Sequence, residues 1–170
     1  MSQQPVPISI QNPSFEQGTA GWQFGPSSGV MQSNGIPVAY AGYGGAFSQM
    51  LAVAPIALQS PAQGYAGSLD GVYVLTFLVA NHFPQYPGYY TAEVSFGTQE
   101  LCEASGWGMA ESTQVTLVCP SPNYLVRYKA LGGAAPGPVQ GQQNLAIKFS
   151  AQGWILLFDN VSLEFTPTIS

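Results

Sequence analysis

Apolar and polar residues alternate with a period of two along most of this chain, the spacing of strands that bury one face. Read this way, the sequence predicts extended runs at PISIQ, GVMQ, PVAYAG, AFSQMLAV, VYVLTFLVAN, YTAEVSFG, QELCEA, TQVTLVC, NLAIKFSA and WILLFDNVSLEF. Turn-forming clusters punctuate them: GPSSG, GYGG, PQYPG and GGAAPGP. About ten short strands without an amphipathic helix predict an all-β fold, a β-sandwich of antiparallel strands. The stretch KALGGAAPGPVQGQQ resembles a linker, but a strand pattern resumes after it, so it reads as a surface loop inside a single domain spanning residues 1–170.

The last run carries the first chemical question. Leu157, Val161, Leu163 and Phe165 share one parity, and Asp159 shares it with them, so strict alternation turns that carboxylate toward the core. A buried carboxylate needs hydrogen bonds, a cationic partner or a metal ion, because isolated burial of its charge costs several kcal/mol. The whole chain has three basic residues, Arg127, Lys129 and Lys148, against eight acidic ones. A cation such as Ca²⁺, which binds carboxylate and carbonyl oxygens, answers the need if a second carboxylate arrives, and Glu16 in NPSFEQG is the candidate.

Composition narrows the classes further. Charged residues are only 6% of the chain and the net charge is −5, so no basic stripe exists to meet phosphates, and nucleic acid is excluded as a partner. No apolar run reaches the ~18–20 residues of a membrane helix. The start MSQQPVPIS lacks the charged and apolar regions of a secretion signal, so the chain is either cytosolic or carries an initiator methionine where a leader was removed. A surface kept polar by Gln, Asn, Ser and Thr favours the second reading, a secreted or extracellular protein. Cys102 and Cys119 lie near the ends of two expected strands; they could form a disulfide in an oxidising compartment or remain two half-buried thiols.

The segments NPSFEQG…GW, VAYAGYGGAFSQML, YVLTFLV and ILLFDNVSL together resemble the carbohydrate-binding modules of the galactose-binding-domain-like superfamily. These are the jelly-roll domains of xylanases, cellulases and extracellular PEP-CTERM type proteins. The resemblance covers nearly the whole chain, in order. It implies a jelly roll of about eight to ten strands, with a structural calcium ion joining the first and last. Its ligands would be the Glu16 and Asp159 carboxylates and backbone carbonyls from Ser14 and Gly35. It also implies a non-catalytic module that recognises a polysaccharide or other glycan.

Sugar recognition needs flat apolar faces for the C–H side of a pyranose ring and a few polar partners at its edge. The candidates are His82, Tyr86 and Tyr89 in NHFPQYPGYY, Trp107 in SGWGM, Phe24 beside the Gly-Trp pair, and Asn144 with Lys148 as polar partners on the penultimate strand. Ordinary packing competes with recognition for each ring, and Trp22 is assigned to the core. Two other classes stay open. The fold resemblance extends to the Stig cyclases of indole alkaloid assembly, where an acidic residue donates a proton in an aromatic cavity; here only Asp159 could serve, in competition with a metal role. A self-assembling matrix or filament protein, and so a homo-oligomer, would suit the low charge and the weakly guarded strand edges.

Overall fold

A computed structural model describes residues 6–51, 55–56, 64–65, 71–96, 99–120 and 145–167. In chain order the strands are β1 (Val6–Ile8), β2 (Gln23–Phe24), β3 (Ser28–Ser33), β4 (Ile36–Ala41), β5 (Ala46–Leu51), β6 (Pro55–Ile56) and β7 (Gly64–Tyr65). They continue with β8 (Gly71–Asn81), β9 (Gly88–Phe96), β10 (Gln99–Trp107), β11 (Thr113–Pro120), β12 (Leu145–Gly153) and β13 (Leu156–Pro167). The runs read from the sequence recur as strands; β2, β6 and β7, of two residues each, are too short to show a period. Asn144 and the loop at 129–143 lie outside the described residues. Among the described residues no helix is long and apolar enough to cross a membrane.

Two antiparallel sheets form a jelly-roll sandwich. One has six strands in the order β11-β8-β13-β4-β3, with β1 beside β13; the other has five, β10-β9-β12-β5-β2. Between them lies an aromatic core in which Phe149 stacks on Phe47 (5.2 Å) and meets Phe77 (4.9 Å) and Phe158 (5.3 Å). All four are almost fully buried. Each such side chain contributes ~1.5–3 kcal/mol by leaving water.

Five connections between the sheets fall at one end of the sandwich: residues 25–27, 42–45, 82–87, 108–112 and 154–155. Backbone hydrogen bonds tie them together. Gly42 N–H donates to Ser27 O (3.1 Å), Tyr43 N–H to Gly153 O (2.9 Å), His82 N–H to Ile155 O (3.0 Å) and Gly108 N–H to Gly88 O (2.8 Å). The buried Asn81 amide clamps two of the loops, donating to Gly108 O (3.0 Å) and accepting from Gly88 N–H (3.2 Å). A Cβ on Gly88 would collide with Trp154 O, and one on Gly108 with Asn81, so both positions need glycine for close approach.

Strand β13 departs from the strict alternation expected of it. Leu156 and Phe158 are buried, and so are Val161, Leu163 and Phe165, so the period slips by one residue between the two sets. A bulge against β8 between Asp159 and Ser162, with Asn160 at φ 49°, accounts for the slip. Asn tolerates the left-handed conformation that a bulge requires. The expectation that Leu157 and Asp159 share the core face is therefore corrected: both lie on the face of β13 away from Phe158, and both are half-buried.

On the opposite side from β1, the disulfide Cys102–Cys119 joins β10 to β11, with Cα atoms 5.4 Å apart. These strands are edges of different sheets, so the bond closes that flank of the sandwich.

Candidate functional site

Strand alternation sorts the expected ligand-binding side chains into two neighbouring surfaces. On β9, Tyr90, Ala92 and Val94 are buried, which turns Tyr89, Thr91, Glu93 and Ser95 outward. Register then aligns outward rows across the five-stranded sheet. One row is Trp107–Tyr89–Gln152, and the next but one is Glu103–Glu93–Lys148–Ser48–Gln23. Trp107 was expected in a turn; it is the last residue of β10, where alternation directs its ring out, leaving it 63% exposed. Its ring meets Tyr89 edge-on at 5.1 Å.

At the other side of this face, Phe24, Gln23, Ser48 and Lys148 line a pocket of about 280 Å³, completed by Gly25, Ala46 and Phe47. Phe24 stacks on Phe47 at 5.2 Å, so one face of its ring is fixed by the core. Lys148, Tyr89 and Trp107 thus share the outer face of the five-stranded sheet, with the ring pair at one edge and the pocket at the other; Phe24 pairs with the inward Phe47, so its ring belongs to the core side and reaches the pocket only at the sheet edge. The acids on this face crowd one another. Glu103 sits opposite Glu93, and a hydrogen bond shared with Glu103 is the main reason that Glu100 is pushed above the ordinary glutamate range, with burial and the charges of Glu103 and Glu93 adding to it.

His82 and Tyr86 are not on that face. They belong to the crossover end, where Tyr86 packs on Trp154 at 4.6 Å and Phe83 and Tyr43 approach the same indole edge-on at 6.0 and 5.8 Å. His82 packs against Phe83 at 4.4 Å. The sequence reading passed over Trp154 and Tyr43. Trp154 was counted into a strand and Tyr43 lies among glycines; the only signal was that each adjoins a glycine, Gly153 and Gly44, now seen at positive φ.

The Glu16 segment forms a third region. Phe15, at φ 59°, turns its ring into the core against Trp22 (5.2 Å) and Phe47 (6.0 Å), while Glu16 stays at the surface. Trp22 is buried as expected, its indole N–H donating to Asn12 O (3.0 Å). Gln49 exchanges two hydrogen bonds with the Gln11 backbone, and Val161 N–H donates to Pro13 O (3.1 Å), so the loop is fastened to both sheets. Near it, Asp159 Oδ1 is buried without a hydrogen-bond partner among the described residues. Burial first, and then the nearby charge of Glu16, push the Asp159 carboxyl above its ordinary range, opposed by a hydrogen bond from Asn160 N–H. A covered carboxylate oxygen facing another acid fits a cation. Among the described residues no three His, Cys, Asp or Glu side chains converge as metal ligands, so a cation would complete its shell with backbone carbonyls, as Ca²⁺ does. Ser14 belongs to this loop; Gly35 lies in the two-residue β3–β4 turn with Asn34, both at positive φ.

Comparison with solved structures decides the fold family. A carbohydrate-binding module of family 61 bound to β-1,4-galactotriose aligns over 92% of this chain and 97% of its own, with TM-score 0.57 and 14% identity. The fold is that of the carbohydrate-binding-module jelly roll. A family 4 module of this jelly roll covers 94% of this chain and 100% of its own, with TM-score 0.56 and 14% identity. The CBM22-1 xylan-binding domain from Paenibacillus barcinonensis Xyn10C covers 92% and 93%, with TM-score 0.52 and 12% identity. No protein-family model matches the sequence, and no curated protein matches it. The likeness to the carbohydrate-binding-module jelly roll is therefore one of fold, at 12–14% identity.

Proposed function

We propose that the protein is a non-catalytic, extracellular glycan-binding module whose recognition surface is the outer face of the five-stranded sheet. The observation that carries this reading is the convergence of Trp107, Tyr89, Gln152 and Lys148, distant in sequence, on the outer face of one sheet, beside a pocket that Gln23, Phe24, Ser48 and Lys148 line. Trp107 offers an exposed ring face to pyranose C–H groups, and Gln23, Ser48, Gln152 and Lys148 offer donors and acceptors to hydroxyls. Solved modules of this fold are described in complex with a galactotriose and as xylan-binding, which supports a polysaccharide as ligand.

Calcium belongs to the same proposal as a structural ion. Glu16 and Asp159 would hold it with the Ser14 carbonyl, and the unpartnered Asp159 Oδ1 supports that assignment. The ion would supply the positive charge that this corner lacks and pin the first loop to the last strand. The acid-catalyst alternative is not favoured, because Asp159 lies on the face of β13 turned away from Phe158 and the aromatic core. Affinity electrophoresis through gels containing xylan, β-1,4-galactan or mixed-linkage glucan tests the reading. Retardation in at least one gel, lost in Trp107→Ala, is expected; unretarded migration in all of a broad polysaccharide panel by the folded protein would overturn it.

A further inference from the structure

We infer that the aromatic cluster at the crossover end is a second set of sugar-binding positions, continuous with the sheet face, so that the ligand is a polymer long enough to pass over the rim. This rests on the reading of the sheet face as a glycan site. Four rings from three loops meet there, Tyr43, Phe83, Tyr86 and Trp154, and remain 57%, 39%, 47% and 41% exposed. Ring burial is worth ~1.5–3 kcal/mol per side chain, so leaving four together in water forgoes stability that the fold could have gained.

Continuity follows from register. Tyr89, which carries the exposed Trp107 contact, sits beside Gln152, and the next pair along the strands is Gly88 with Gly153, leading directly to Tyr86 on one side and Trp154 on the other. The loops are fixed in advance by the bond from Tyr43 N–H to Gly153 O (2.9 Å) and by that from Tyr86 N–H to Phe83 O (2.9 Å). A rigid site of this kind orders little on binding, which lowers the entropic cost.

Chemistry selects a sugar among possible occupants. The three loop segments 42–45, 82–87 and 153–155 contain no Asp, Glu, Lys or Arg, and His82 is their one titratable basic group, so they lack the cluster of charges that an anionic membrane or a charged peptide would need. Their rings are amphipathic, with the Tyr43 and Tyr86 hydroxyls and the Trp154 N–H available to hydroxyl partners. Trp154 packs against Tyr86 and still leaves 41% of its surface in water, area that a sugar ring would cover.

The test uses the whole chain, first in gels of xylan, β-1,4-galactan and mixed-linkage glucan, then by calorimetry with oligosaccharides of the polymer bound, from two to six units. Wild type should bind more tightly with each added unit. Trp154→Ala and Tyr86→Ser, with unchanged melting temperature, should lose roughly tenfold for the longest oligosaccharide and the polymer and nothing for the shortest. Trp154→Phe should recover most of the loss. Equal affinity of folded Trp154→Ala and Tyr86→Ser for the polymer would overturn the inference while leaving the sheet-face site standing. So would a wild-type dimer, abolished by Trp154→Ala, with glycan affinity intact. Wild type retarded by none of the polysaccharides would instead remove both readings.

Discussion

The corner at Glu16 and the sheet face at Trp107 treat the same problem, a side chain that ordinary folding would place elsewhere, in opposite ways. At the corner, next to a loop that is hydrogen-bonded to both sheets, one carboxylate oxygen is buried with no hydrogen-bond partner among the described residues. At the face and rim, rings that could be covered are held open on strands and loops that cannot easily move. On the function proposed above, the first arrangement acts on stability and the second on recognition. Substitutions should therefore separate the two measurements.

The largest effect is expected from Phe15→Ala. Its ring is fully buried between Trp22 and Phe47, and truncating a buried Phe costs about 3–5 kcal/mol. Chemical denaturation should show this loss, whereas the glycan affinity of the molecules that remain folded should stay at the wild-type value. A loss of affinity matching the loss of stability would join the two regions that the comparison separates.

Calcium comes next. An ion held only by the folded state at a hundred times its Kd adds ~2.7 kcal/mol, so calcium should raise the melting temperature and chelator reverse the rise. Asp159→Asn should abolish the response without touching polysaccharide retardation. A calcium response preserved in that variant would move the ion elsewhere. Trp107→Ala should give the mirror image, a loss of about 2 kcal/mol in binding, or roughly thirtyfold, at constant melting temperature.

The smallest expected effect comes from the acids on the sheet face. Glu100 is raised by its hydrogen bond with Glu103, so the folded state holds its proton more tightly than the unfolded state does. That contribution is complete below the unfolded value of 4.5 and fades as pH rises through the folded pKa. Acidification from neutral toward 4.5 should therefore stabilise wild type slightly more than Glu100→Gln. Equal melting profiles would show the Glu100–Glu103 bond to be without consequence.

Period-two patterning made nearly every long strand legible, because β5, β8, β9 and β12 each bury one face and expose the other. It failed where the backbone leaves the period. One residue at φ 49°, Asn160, reverses the parity of Leu157 and Asp159, and no count of apolar positions on either side reveals it. The proximity of Glu16 to Asp159 was reached through an argument about parity that the bulge invalidates; Asp159 lies on the face of β13 away from Phe158, two residues before Val161, which bonds to Pro13 of the loop. The rim was the least legible part. Tyr43, Tyr86 and Trp154 belong to separate turns, and only crossovers between two sheets bring them together. Asn81, which reads as a polar residue ending a strand, holds that end closed through both atoms of its amide.

The bond between Cys102 and Cys119 gives the proposed binding face a mechanical character. Trp107 stands on β10, an edge strand held to the sandwich on one side by its ladder with β9. A polymer pulled away from Trp107 would open such an edge one hydrogen-bonded pair after another, the low-force way to detach a strand. Five residues back along β10 the cross-link to β11 interrupts that unzipping and hands the load to the opposite sheet. Were the proposed face to grip a chain under tension, its outermost strand would be riveted rather than merely laced.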